Sequence, residues 1–425
     1  MAAPQKTARS CAVYMMTQIL SEGRLMAELS QSGAMEGLSP ADRARAQRLT
    51  MDTLRALERA DRILSKFMRK APPLYVQNVM RLATMELCTG GDAHGIVNDA
   101  VNLVAGNKRA QAFKGMVNAV LRKVADKGPQ EWTILRMPRL PKWLRAPLVS
   151  AYGPEKVAQF EAVHFQSPPL DITVKNNAHL DALAETLDGE IILGGSVRLQ
   201  NPGQVSTLPG FDAGDWWVQD AAAALPVRLL GDIAGKTVLD ICAAPGGKTM
   251  QLAAAGAQVT ALDVSEHRLK RVHENLERTD LKATVIAQNA LEHNGSYDII
   301  LLDAPCSATG TIRRHPDLPY SKDGAKFTQL FQLQSDLIDH AVSLLNPEGL
   351  LVYCTCSLFP DEGECQIEDA LVRHKNMAPH PVNYDGLDIP KECLTQEGGL
   401  RITPDLLFDK GGLDGFYIAV LRKNS

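Results

Sequence analysis

The chain has 425 residues, 45% of them apolar, which is enough to fill more than one core and excludes a disordered tail or a peptide-sized module. Its 45 lysines and arginines against 49 aspartates and glutamates leave a net charge of −4, so the whole chain gives no electrostatic argument for a nucleic-acid partner. That average conceals a division, because residues 1–150 carry a net +11 and the remaining 275 a net −15.

From Ala8 to about Val124, apolar residues recur three and four apart, as in LRALERADRILSKFM from Leu54, and predict an all-helical domain. Breaks fall at 30–40, 71–73 and 88–95, and 114–128 forms a helix with several basic side chains. Those charges suit a solvated surface, an RNA or a protein partner. Prolines 138, 141, 147 and 154 punctuate a connector, after which LDITVKNN and IILGGSVRLQ read as short strands around a brief helix at 178–187. The last part alternates strand and helix: TVLDICA (237–243), AQVTALDV (257–264), TVIAQNA, YDIILLDAP (297–305) and GLLVYCTCS (349–357) are the strands, with a helix near 328–345. This order predicts a mostly parallel sheet whose ligands sit beyond the carboxyl ends of its strands. The expected domains are therefore helical over 1–135, a connector with a small α/β domain over 136–225, and a Rossmann-like α/β domain over 226–425.

The eight cysteines are too few and too irregular for a small disulfide framework, which points to reduced thiols. No apolar run is long enough to span a membrane, and the start MAAPQKTARSCAVYMM has no signal-peptide cleavage pattern, so the expectation is a cytoplasmic protein with no membrane attachment. With no CxxC pair, a zinc cluster is not expected either.

DICAAPGGKT (240–249) follows the first strand of the sheet and enters a helix; its small residues permit a tight turn, and exposed amides at the helix start suit a carboxylate. It is neither GxGxxG nor GxxxxGK[ST], which excludes the dinucleotide fingerprint and the P-loop. Asp263 ends the second strand, where a carboxylate can bind both hydroxyls of a ribose or, alternatively, cap the helix beginning at Ser265.

Taken together, DICAAPGGKT, ALDVSEHRL, LLDAPCSATGTIRRHPD and VYCTCS resemble the RNA cytosine-C5 methyltransferase family (NOL/NOP/Sun type, Sun/Fmu-like), which uses S-adenosylmethionine. HGIVNDAVNLV (94–104) and FKGMVNAVLR (113–122) resemble the NusB-type RNA-binding domain fused to the bacterial 16S rRNA member, and VQDAAAAL (218–225) and DGFYIAVLRK (414–423) extend the match over nearly the full chain. The resemblance implies a class I S-adenosylmethionine-dependent methyltransferase domain. Its cofactor cradle would be formed by Cys242, Ala243, Ala244, Pro245, Gly246, Gly247 and Lys248, with Asp263 on the ribose, Arg268 nearby and Asp303 also lining it. Where the family commonly has an aspartate, QNA (288–290) has Asn289, whose amide can still accept and donate at the adenine.

The implied reaction requires a thiolate to add to C6 of cytosine, because C5 becomes nucleophilic only after that addition. Cys306 in DAPC and Cys356 in TCS follow adjacent predicted strands, and loops of neighbouring strands can share a pocket. The resemblance assigns the nucleophile to Cys356, resolution of the RNA adduct to Cys306, and recognition and activation of cytosine to Asp303, with Lys248 orienting substrate or cofactor. Cys354, which alternates with Cys356 along a strand, is expected to face the other way and pack in the core. Arg313, Arg314 and His315 suit contacts to RNA or, alternatively, a salt-bridged loop. The implied substrate is 16S rRNA, free or in an early assembly particle, at cytosine 967 in bacterial numbering, and the protein is expected to act as a monomer. The rival readings are a methyltransferase of another RNA such as tRNA, and a non-catalytic RNA-binding assembly or antitermination factor.

Overall fold

Helical periodicity in the first 165 residues is realised as α1 (Ala8–Glu22), α2 (Met26–Gln31), α3 (Pro40–Arg55), α4 (Leu57–Ser65), α5 (Leu74–Cys88), α6 (Ala93–Gly106), α7 (Lys114–Ile134), α8 (Lys142–Tyr152) and α9 (Pro154–Phe165). Their starts follow local chemistry: Ser39 accepts from the Asp42 amide ahead of Pro40, and Asp92 accepts from the Gly95 amide. Helix α5 is apolar around most of its circumference, with Val76, Val79, Met80, Leu82, Ala83 and Leu87 buried, and so becomes the centre of the bundle. The computed structural model describes residues 6–325 and 327–425, and within it the chain forms two units, one of residues up to Ser167 with Ile312–Gly324, the other of Pro168–Thr311 with the residues from Ala325 on.

The first unit therefore includes a segment from much later in the chain. Asp317 Oδ2 accepts from the amide of Met26 at 2.8 Å, Arg55 donates to the carbonyl of Arg313 at 2.9 Å, and Ser321 Oγ donates to the carbonyl of Arg24 at 3.0 Å. The Trp143 indole donates to the carbonyl of Pro319, at 3.3 Å. The compact units are drawn differently from the expected domains: α8 and α9, beyond residue 135, belong to the first unit, and the helix Ala221–Arg228 spans residue 225.

In the second unit, β1 (Leu170–Val174), α10 (Leu180–Thr186), β2 (Glu190–Ile192), β3 (Ser196–Leu199) and β4 (Trp216–Val218) form a small antiparallel sheet of order β2-β3-β1-β4. Arg198 and Asp171 pair across it through two hydrogen bonds of 2.7 Å, both side chains buried. Two-pronged geometry of this kind is what lets an ion pair tolerate burial. Beyond it come α11 (Ala221–Arg228), β5 (Thr237–Ile241), α12 (Gly247–Ala254), β6 (Gln258–Asp263), α13 (Glu266–Thr279), β7 (Thr284–Ala287), β8 (Tyr297–Asp303), α14 (Phe327–Leu344), β9 (Leu345–Thr355), α15 (Glu364–Arg373), β10 (Met377–Pro379), β11 (Leu400–Ile402) and β12 (Phe416–Lys423).

The large sheet runs β10-β12-β9-β8-β5-β6-β7, with β11 also paired to β12. Strands β9, β8, β5, β6 and β7 are parallel, and Val238, Leu239 and Ile241 on the central strand are all buried, as expected for a strand covered on both faces. The sheet is mostly parallel, as expected, with β12 added antiparallel to β9 and β10. Loops carrying DICAAPGGKT, DAPC and TCS leave the carboxyl ends of β5, β8 and β9.

Candidate active site

At the end of β5, Cys242 turns left-handed at φ 63° and Gly246 follows at φ 100°, so the chain coils tightly before α12 begins. A Cβ on Gly246 would meet Val272 of α13 at 3.3 Å and would be strained at that φ, which explains why glycine stands here. Asp263, at the end of β6, has a buried carboxylate: Oδ1 accepts from the Ser265 amide at 3.0 Å, and Oδ2 accepts from the Ala244 amide and lies 3.3 Å from the Arg268 guanidinium. Arg268 also donates to the Ala244 carbonyl at 2.6 Å. The actual N-cap of α13 is Ser265, which accepts from the Arg268 amide, so Asp263 is not needed for that task. Asn289 is exposed, accepting from the Leu291 amide at 3.2 Å and donating to Glu292.

Lys248 projects from the first turn of α12 to Asp303 at the end of β8, Nζ to Oδ2 2.8 Å, with the Phe416 ring of β12 5.1 Å from the ammonium. Burial opposes the charge on Lys248, but the carboxylate of Asp303, then Cys354 and Asp240, outweigh it and hold the ammonium above the ordinary lysine range. The other oxygen of Asp303 faces the Cys354 thiol at 3.7 Å. Beneath this pair, the wholly buried Asp240 accepts from Thr249 Oγ1 at 2.6 Å through Oδ2, while its Oδ1 has no partner; burial pushes its pKa up to about 7.

The Sγ atoms of Cys306 and Cys356 lie 3.5 Å apart across 50 residues of sequence. Hydrogen bonding to Cys356, burial and the charge of Glu362 push the Cys306 thiol well above the usual range, so it stays protonated at neutral pH. Cys354 is buried, as expected, but it does not face the other way: residues two apart on a strand share a face, and its thiol lies in the same cluster as Cys356 and points to Asp303, with burial holding it protonated too. Cys242 is half-buried in the cofactor loop, its pKa raised to about 12 by burial and then by the carboxylates of Asp303 and Asp263. Arg313, Arg314 and His315 belong to the helical unit, not to this cluster. Arg313 is 1% exposed there, which removes it from any RNA-facing set, whereas Arg314 and His315 are half-buried.

Several side chains of the site carried no recognisable signal in the sequence. Val264, beside Asp263, is 74% exposed, an apolar surface next to the ribose carboxylate; only its position after the motif aspartate hinted at it. Phe416 needed the antiparallel β12. Glu362 accepts from both loops that bear the paired cysteines, from the Ser307 amide at 2.8 Å and from the hydroxyl of Ser357. In the sequence it is one of several acids in PDEGE and looks solvent-exposed.

Residues 227–422 match the family model described as 16S rRNA methyltransferase RsmB/F, and residues 6–126 match the NusB family. A ribosomal RNA small subunit methyltransferase B from Photorhabdus laumondii is 34% identical over 98% of this chain and 98% of its own length. The chain belongs to the ribosomal RNA small subunit methyltransferase B family. An Escherichia coli protein of the same name is 35% identical over 87% of this chain and 91% of its own. A solved methyltransferase homologue from Pyrococcus horikoshii is 28% identical with a TM-score of 0.54, over 67% of this chain and 95% of that one.

Methyltransferases of this family use S-adenosylmethionine. The loop fits that cofactor on its own chemistry. Asp263 offers acceptors for a diol, Val264 an exposed apolar face for a purine, Asn289 an amide at the end of β7, and the coil from Cys242 to Gly247 leaves no side chain larger than a proline or a thiol in the way of a ligand's backbone-side approach. Among the described residues, no group of three or more His, Cys, Asp or Glu side chains is arranged to hold a metal ion, and no helix is long and apolar enough to cross a membrane.

Proposed function

We propose that the protein methylates C5 of a cytosine in 16S rRNA, cytosine 967 in bacterial numbering, by way of a covalent bond between Cys356 Sγ and C6 of the base. The observation that carries this reading is the 3.5 Å approach of Cys306 and Cys356 at the strand ends that also hold the Lys248–Asp303 pair. S-adenosylmethionine, when bound, supplies an electrophilic methyl group. The chain's own residues prepare the base to take it.

Asp303, held by Lys248, has a carboxylate oxygen that can accept from the exocyclic amine of cytosine and so fixes the base, and the Lys248 ammonium beside it steadies the negative charge that builds up as sulfur adds to C6. The Cys356 thiolate adds to C6, and the electron pair displaced from the C5–C6 double bond makes C5 a nucleophile. After C5 is alkylated, solvent water takes its proton, the C5–H electron pair re-forms the C5–C6 double bond, and the C6–S bond breaks with its electron pair returning to Cys356. Cys306, a thiol at neutral pH, stands close enough to hydrogen-bond the departing sulfur and favour release. The base must be out of its stack for Cys356 to reach C6, which suits an unpaired loop of RNA that is free or in an early particle. Asp263, Val264, Arg268, Asn289 and the coil from Cys242 to Lys248 would hold the cofactor. The exposed Lys108, Arg109, Lys114, Arg122, Lys123 and Lys127 of the helical unit supply cations for RNA phosphates, joined by Arg314 and His315, and a single chain carries the full set.

The test is methyl transfer from labelled S-adenosylmethionine to unmodified 16S rRNA, with the modified base located by mass spectrometry. One 5-methylcytosine at position 967 is expected. Label in transfer RNA but not in 16S rRNA would overturn the substrate, and RNA binding without transfer would overturn the activity.

A further inference from the structure

Glu362 is 0% exposed, and its carboxylate receives four hydrogen bonds. At Oε1 these come from the Ser307 amide at 2.8 Å and from Gln334 Nε2 at 3.1 Å; at Oε2 they come from the Ser307 hydroxyl at 2.5 Å and from the Ser357 hydroxyl. Ser307 directly follows Cys306, and Ser357 directly follows Cys356. Its main-chain carbonyl accepts from Tyr353 and Thr355, at 2.9 and 3.1 Å, and so ties the same residue to the end of β9. Gln334 of α14, while donating to Glu362, also donates to the carbonyl of Pro305 at 2.9 Å, the residue before Cys306. No lysine or arginine pairs with this carboxylate among the described residues, so these donors alone stabilise it in the interior. A buried anion held only by donors needs every one of them in place.

Several salt bridges of the unit join elements, as Arg401–Glu364 and Arg373–Asp339 do. Here the partners are the two residues adjoining the reactive thiols, and the strut crosses the gap that the two sulfurs also cross. We infer that Glu362 is a positioning residue, holding the Cys306 and Cys356 loops in register so that the two thiols stay in contact during the covalent cycle. The inference rests on the covalent reading above for its catalytic meaning, although the geometry it describes is independent of that reading. The charge of Glu362 also helps to keep Cys306 protonated, consistent with one thiol being held in reserve while the other attacks.

The experiment compares the full-length wild type with Glu362→Gln, Ser357→Ala and Cys306→Ala. Glu362→Gln keeps the shape but removes the charge and one acceptor: its N–H₂ either meets the Ser307 amide and Gln334 Nε2, which can only donate, or makes the two serine hydroxyls turn round and accept. Thiol contact is read directly with diazenedicarboxamide. Two S–H bonds break, an S–S bond forms between Cys306 and Cys356, and the oxidant takes up both protons and both electrons to become the hydrazine. The 306–356 disulfide is quantified by peptide mass spectrometry, with Cys306→Ala as the blank. Expected for Glu362→Gln are disulfide formation at least about tenfold slower, kcat lower by about 10²-fold with KM for RNA little changed, and a Tm and S-adenosylmethionine affinity close to wild type. Ser357→Ala, which leaves three donors, is expected to move both rates in the same direction by less, and it carries the test if Glu362→Gln does not fold.

Unchanged disulfide formation and kcat in a folded variant would overturn the inference, as would a loss of kcat with the thiol contact intact. Failure of the covalent reading looks different: Cys356→Ala would then still transfer methyl groups, whatever the disulfide kinetics of the Glu362 variant.

Discussion

The two halves of the active site are built in different ways. Around the cofactor loop, shape is decided within a few residues: a left-handed Cys242, a glycine at 246 and the start of α12 follow one another directly, and Asp263 reaches back to the loop through the amide of Ala244. Around the thiols, nothing local brings Cys306 to Cys356. That approach depends on parallel pairing of β8 with β9, on the Gly310 amide donating to the Cys356 carbonyl at 2.9 Å, and on Glu362 reaching both loops. A locally built turn tolerates change at a distance, whereas a long-range pairing inherits every weakness of the elements that make it.

The comparison can be broken most severely at the sulfurs. Cys356→Ala should reduce methyl transfer to background while leaving S-adenosylmethionine binding by calorimetry intact; Cys306→Ala should retain attack but accumulate an RNA adduct stable to denaturing electrophoresis. Gly310→Ala is the next largest. A Cβ there would stand 1.9 Å from the Gly415 carbonyl oxygen and 2.9 Å from that of Cys356, neither of which is a flexible side chain. Relief requires backbone movement, with an expected loss of about 1–3 kcal/mol in urea unfolding and separation of the thiols, and with cofactor affinity again unaffected.

Damage confined to the other half should do the reverse. Asp263→Asn is expected to weaken S-adenosylmethionine binding by about 10- to 100-fold, from the loss of a charge-assisted acceptor, while the rate of Cys306–Cys356 disulfide formation stays at the wild-type value. The effect furthest from both halves of the chemistry concerns Asp240. Its folded-state pKa of about 7 lies above the ordinary 3.8, so the native protein holds a proton that the unfolded chain has released between those values, and the stability contributed by this group falls as pH rises from about 4 to about 7. Asp240→Asn, which can still accept from Thr249, should flatten that part of the stability–pH curve, measured by denaturant unfolding at intervals of pH.

This division also explains what could be read from the amino-acid order. DICAAPGGKT, Asp263 and the alternation of strand and helix were legible because turn chemistry and periodicity are local properties. The burial of Cys354 was legible too, but not its orientation: a strand's two-residue repeat puts it on the same face as Cys356, beside Asp303. Glu362 was not legible, because whether an acid in PDEGE is solvated or buried is decided by serines 55 and 5 residues away. Arg313 was misleading for the same reason: a cation beside a catalytic motif suggests an RNA contact, yet burial among the helices withdraws it. The antiparallel β12 was missed as a partner of β9 because the pairing joins segments some sixty residues apart, Tyr417 opposite Thr355.

The segment Ile312–Gly324 carries a further consequence, for the order of events during synthesis. Helix α2 begins with an amide whose acceptor is Asp317, 291 residues downstream. A ribosome working from the amino terminus therefore finishes α1 to α9 long before the residue that caps one of them exists. Until translation has passed Gly324, a groove bordered by Arg24, Leu54, Arg55 and Trp143 waits for its filling, and the nascent helical unit is chemically incomplete for most of the time the chain is being made.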